Sequence, residues 1–165
     1  MGFRASIPTP WRYHVHPVGG LWAVGFGPGS DLLLVLSVSG RGVFDCLSGE
    51  RIARDPEEDE YEDHYDETAE TVLGIGPLAG VRVPVCGTGG GVDTQRTLPV
   101  SSTDGWSMAL LPSRNRGNEC VALRAPSSEK SITLIDAEEP RAFGFSPTGR
   151  CLIVAEPHTL HVWSR

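Results

Sequence analysis

Lysine is almost missing from this chain: Lys130 stands alone against thirteen arginines in 165 residues. That ratio points to a GC-rich coding sequence and carries no mechanism. Long apolar runs are missing too. The longest, 32–36, falls far short of the ~20 residues a membrane-spanning helix needs. The first residues have no apolar signal core, so the expected location is the cytoplasm. A Met-Gly start with Ser6 touches the myristoylation pattern only by its shortness. Helix signals are nearly absent, the best being a short turn near 66–71. No pair of cysteines is closely spaced: Cys46, Cys86, Cys120 and Cys151 lie 40, 34 and 31 residues apart. That spacing argues against thiolate metal sites and a secreted disulfide framework. Small buried hydrophobes in strands are the expectation. Gly-x-Ser-x-Gly, His-Glu-x-x-His and paired-carboxylate motifs are all missing. The run 87–91, Gly-Thr-Gly-Gly-Gly, lacks the Lys-Ser/Thr and the helix of a phosphate loop, and reads as a wide turn.

Glycine and proline are plentiful, at 20 and 13. Glycine supplies positive φ and proline a fixed φ, so this composition suits short strands joined by tight turns. The hydrophobic fraction of 39% and charged fraction of 21% are those of a globular chain. One domain covering 1–165 is expected.

The strongest pattern is a repeat. Ala23-Val24-Gly25-Phe26-Gly27-Pro28 aligns without gaps on Ala142-Phe143-Gly144-Phe145-Ser146-Pro147, at an offset of 119. Leu33 then falls on Leu152, Val35 on Val154, Val43 on Val162 and Phe44 on Trp163. Each copy reads as a strand, a Pro/Gly turn, an apolar strand, a polar turn and a strand ending in an aromatic. The middle strands, 32–38 and 151–155, are nearly continuous apolar runs, as inner strands covered on both faces should be. The offset is close to three units of about 40 residues. Strand-like runs at 107–111, 120–124 and 131–136 form one intervening unit. Runs at 71–75, 81–86 and 95–100 form a weaker one.

Phe145-Ser146-Pro147-Thr148-Gly149-Arg150, then Cys151 to Ala155, then Leu160-His161-Val162-Trp163, resembles a WD40 blade. Val43-Phe44-Asp45 followed by Leu47-Ser48-Gly49-Glu50 resembles the end of one. The likeness covers 22–54 and 140–165. Two features depart from it: no Gly-His dipeptide opens a blade, and Ser164 follows Trp163 where the family has Asp. The resemblance implies an all-β, small β-propeller-like repeat domain of about four antiparallel blades. The last unit ends at its third strand. The segment 11–16 is expected to supply the missing outer strand and close the ring.

Acidity is concentrated. The run 55–67 holds nine of the 21 carboxylates, and the other twelve are outnumbered by 14 cations, although the whole chain carries −7. Such blocks are commonly solvated loops. With Tyr61 and Tyr65 beside it, this one also suits docking to a basic partner. The partner-binding candidates are Glu57, Glu58, Asp59, Glu60, Tyr61, Glu62, Asp63, Tyr65 and Asp66, with Trp11 as a further aromatic contact. Calcium is disfavoured because no glycine sits at the turn an EF-hand requires. His14 and His16 share one face of a strand. If that strand pairs with the C-terminal one, three imidazoles, with His158 or His161, would approach each other. Arg114 and Arg116 form a small basic loop tip.

The functional expectation is a non-enzymatic protein-interaction module with no cofactor, no metal, no nucleic acid and no membrane. Its sharpest form is an inhibitor or immunity-type partner of a basic protein. A scaffold subunit, or a metal-dependent hydrolase with a channel site, are the alternatives.

Overall fold

The computed structural model describes residues 5–56, 64–88 and 93–165. Four antiparallel sheets account for the regular structure. Sheet I contains β2 (Leu21–Phe26), β3 (Leu32–Ser37), β4 (Gly40–Asp45) and β5 (Glu50–Asp55), in that order. Sheet II contains β6 (Tyr65–Asp66), β7 (Thr71–Leu73) and β8 (Arg82–Pro84), with a 3-10 turn at Gly76–Leu78 between the last two. Sheet III contains β9 (Ser107–Pro112), β10 (Asn118–Arg124) and β11 (Ser131–Glu138). Sheet IV contains β12 (Ala142–Phe145), β13 (Cys151–Ala155) and β14 (Thr159–Ser164), and takes β1 (Arg12–Pro17) as its outer strand.

The repeat is reproduced in hydrogen-bonding register. Phe26 opposes Leu33 and Leu33 opposes Phe44. Phe145 opposes Leu152 and Leu152 opposes Trp163, the same pairs displaced by 119 residues. β1 completes the second copy, pairing with β14 from Arg12↔Ser164 to Pro17↔Thr159. The N-terminal strand thus holds the position in sheet IV that β5 holds in sheet I.

The stack runs III–IV–I–II, and the apolar runs explain it. On β13, Leu152 and Val154 pack toward sheet III, while Cys151, Ile153 and Ala155 pack toward sheet I. All five are fully buried. On β3, Leu33 and Val35 face sheet IV, and Leu34 and Leu36 face sheet II. Full burial of each such Leu, Ile or Val side chain contributes roughly 1.5–3 kcal/mol, so these two strands anchor the core.

The weaker unit departs from expectation. Residues 95–100 form no strand, and β6 serves as the third strand of sheet II. The segment is used as a crossing. Leu98 enters the core between sheets I and IV. The Gln95 N–H bonds Glu70 Oε1 at 2.7 Å, and the Pro99 carbonyl accepts the Phe145 N–H at 2.7 Å. A Cβ on Gly144 would lie 2.4 Å from Leu98 Cβ, so only glycine permits this approach.

The edge strands β2 and β12 also bond backbone outside their own sheets. Val24 on β2 exchanges both backbone bonds with Cys86, at 2.9 and 2.7 Å. On β12, Phe145 bonds Pro99, and the preceding Arg141 carbonyl accepts the Thr88 N–H at 3.1 Å.

Both chain ends tie sheets III and IV together. The Ser6 N–H bonds the Leu134 carbonyl at 2.7 Å, and Trp163 Nε1–H bonds the Ser6 carbonyl at 3.0 Å. Arg165 makes two bonds to Asp104, at 2.5 and 2.8 Å, and its guanidinium lies 5.0 Å from the Trp11 ring and 5.7 Å from the Trp106 ring.

Candidate functional site

Glu57, Glu58, Asp59, Glu60, Tyr61, Glu62 and Asp63 lie outside the described residues. The two ends of the acidic run are described, and both are held. At the start, Asp55 pairs with Arg41 at 2.6 Å, and Arg41 also donates to the Leu73 carbonyl at 2.6 Å. At the end, Tyr65 and Asp66 form β6 against β7. Asp66 is exposed and accepts the Ala69 N–H at 2.9 Å. Tyr65 is half-buried, its ring edge-on to Trp22 at 6.1 Å. Burial, then the carboxylates of Glu70, Glu67 and Asp66, raise the Tyr65 pKa, so the phenol keeps its proton and can donate a hydrogen bond.

Trp22 leads from Tyr65 to a groove of about 460 Å³ between sheets I and IV. Glu138, Glu139 and Glu156 line this groove. Arg141 borders it as well, with its Nη1 donating to the Thr88 carbonyl at 3.0 Å. Val38, also on the rim, is 67% exposed. Buried Trp22 thus touches Tyr65 and also lines the groove that holds the three glutamates. The sequence reading missed Trp22 and the glutamates, which are 70 or more residues from Tyr65 or hidden in an apolar strand. No local signal joins them.

Trp11 is not a surface contact. It is 3% exposed, edge-on to Trp106 at 5.3 Å and tilted on Phe145 at 6.3 Å. Trp11 precedes β1 by one residue, and the joining of β1 to sheet IV carries it between sheets III and IV.

His161 does not meet His14 and His16, because register separates them. Directly opposed residues of an antiparallel pair share a face. His14 opposes Val162 and His16 opposes Leu160, on the face toward sheet I. His161 opposes Val15 and lies on the other face, with Tyr13 and Trp163. His161 Nδ1 hydrogen-bonds Tyr13 Oη at 2.7 Å, and its Nε2 hydrogen-bonds Glu156 Oε1 at 2.7 Å. Glu156 Oε2 accepts the Glu138 N–H at 3.1 Å. Both ring nitrogens are used and His161 is 6% exposed, so this chain of bonds positions strands and offers no open acid or base. Burial and then Glu156 raise the Tyr13 pKa, which keeps its hydroxyl intact within the network. Among the described residues, no group of three or more His, Cys, Asp or Glu is arranged to hold a metal.

A scan against protein-family models and a search of curated proteins both find no match for this chain.

Proposed function

We propose that this chain is a non-catalytic protein-interaction module of the WD40-like β-propeller type. It engages a basic protein through the acidic run 55–67, as an inhibitor or immunity-type partner would. One observation carries the reading: the densest block of negative charge is tied to sheets I and II at its two ends, and Tyr65 packs on Trp22, which lines a groove with three glutamates. Recognition loops work this way, mounted on a scaffold that does not move. A docked arginine-rich surface would find charge along the run and aromatic area at Tyr65. The propeller assignment is supported by the 119-residue repeat of register and by the N-terminal strand that completes sheet IV.

The test compares wild type with a variant in which Glu57, Glu58, Asp59, Glu60, Glu62 and Asp63 are changed to Gln or Asn. That variant leaves the Asp55–Arg41 pair and β6 in place. Capture from host lysate at low salt, followed by a salt gradient, should release a basic protein from wild type alone. Equal capture by both proteins, with equal salt dependence, refutes the acidic run as the recognition element.

A further inference from the structure

Although the chain is acidic overall, one hollow on it gathers cations without a carboxylate. It has a volume of about 200 Å³ and lies on the face of sheet I that turns toward sheet IV. Glycines clear its floor. Gly42 carries no side chain on that face, and a Cβ there would meet nothing closer than the Phe44 ring at 3.6 Å. A register shift then supplies the charge. Residues three apart on a regular strand point to opposite faces. The pairing of β4 with β5 slips between Val43 and Phe44, so Arg51 opposes Phe44 and Arg54 opposes Gly42, on one face. Both arginines line the hollow. Neither guanidinium makes a hydrogen bond or ion pair among the described residues. The neighbouring carboxylate, Asp55, is held by Arg41 at 2.6 Å.

The facing strand borders the hollow at Pro17. The His16 ring packs on Phe44 at 4.7 Å, and its Nε2 is out of solvent without a hydrogen-bond partner. The charged side chains that act on His16 are His14 and Arg51, both cationic or protonatable. Phe44, Pro17 and Val18 give the hollow an apolar wall beside the two guanidiniums.

We propose that this hollow binds a phosphate monoester, with Arg51 and Arg54 on the phosphoryl oxygens and the organic stem against Phe44 and Pro17. Two guanidiniums match a dianion, and a phosphate monoester carries about −1.5 to −2 at neutral pH. The planar, multi-donor guanidinium suits phosphoryl oxygens better than a point charge does. The volume admits a phosphoryl group on a short stem. This proposal does not depend on the reading given for the acidic run.

The experiment is calorimetric titration of the full chain with phenyl phosphate at low salt. Charge-assisted hydrogen bonds from two arginines are expected to make the R51Q/R54Q variant bind about 100-fold more weakly than wild type. The R114Q/R116Q variant, with the same charge change on the exposed loop tip, should bind as wild type does. Benzoate, a monoanion of similar shape, should bind wild type more weakly than phenyl phosphate does. A short phosphotyrosine peptide distinguishes the source: binding at least as tight as phenyl phosphate assigns a phosphorylated side chain, and exclusion assigns a free small ester. No saturable binding of phenyl phosphate by wild type overturns the proposal. So does an equal loss in both double variants. Thermal melting of R51Q/R54Q at the wild-type temperature keeps a loss of binding from being a loss of fold.

Discussion

Trp11 wedges the N-terminal segment between sheets III and IV, and replacing it tests how that end of the chain is held. The ring is 3% exposed and meets Trp106 edge-on at 5.3 Å. Truncating a buried Trp to Ala costs about 3–5 kcal/mol in lost transfer energy and cavity. Its ring contacts with Trp106 and Phe145 place Trp11 toward the upper end. One term works the other way. Trp11 Nε1 is buried without a hydrogen-bond partner, a burden of about 1–3 kcal/mol that the truncation removes. The net expectation for Trp11→Ala is a loss of about 3 kcal/mol, a large share of the roughly 5–15 kcal/mol that stabilises a typical domain. For a chain of this length that is a fall in Tm of about 6–12 °C. Trp11→Phe keeps most of the ring and discards the unpartnered N–H, so it should cost about 1 kcal/mol or less. Urea unfolding followed by far-UV circular dichroism reads both, with an unchanged m-value as the check on two-state behaviour. A Trp11→Ala midpoint indistinguishable from wild type refutes the wedge. Equal losses for Ala and Phe refute the argument about the N–H.

Two further expectations follow from buried titratable groups. The His16 pKa is lowered from its ordinary 6.5, first by burial, which outweighs the opposing Gly49 backbone, and then by the smaller effects of His14 and Arg51. The unfolded chain therefore takes up this proton before the folded one, and stability falls as pH drops through 6.5 toward the folded value. The difference in Tm between wild type and His16→Gln should accordingly change between pH 7.5 and pH 5, wild type losing ground in acid; a constant difference would sink the assignment. The cysteines should divide by burial. Burial pushes the Cys86 thiol up to about 11 and raises Cys46 and Cys151 as well. A thiol reagent at pH 8 should label half-buried Cys120 first and the other three only after unfolding. Fast labelling of Cys46 or Cys151 in the native protein contradicts the packing described for the core.

The legible parts of this fold were those written in adjacent residues. Cys151 to Ala155 and 32–36 announce doubly covered strands because nothing polar interrupts them. The Pro/Gly turns that follow Phe26 and Phe145 mark strand ends by backbone sterics alone. The copies at an offset of 119 align because the same strand-turn-strand solution is used twice. The segment 95–100 misled because short β-prone runs look alike whether they pair or cross a core, and Leu98 is apolar in either case. Trp11 misled for a related reason: an aromatic near a chain end carries no mark of which side is covered.

Composition and local pattern were sufficient for the all-β class, the strand positions of sheets III and IV and of β2 to β4 in sheet I, and the place where negative charge gathers. Each of these depends on neighbours a few residues apart. The rest depends on partners far apart in sequence, whose meeting is a property of the packed chain. Register on β14 sent His161 to Tyr13 and Glu156, and His14 and His16 to the opposite face. A one-residue slip between β4 and β5 put Arg51 and Arg54 side by side over a glycine floor. Side-chain direction in a sheet reverses with every residue, so a site made across strands is set by pairing, and pairing is settled only when the whole core closes.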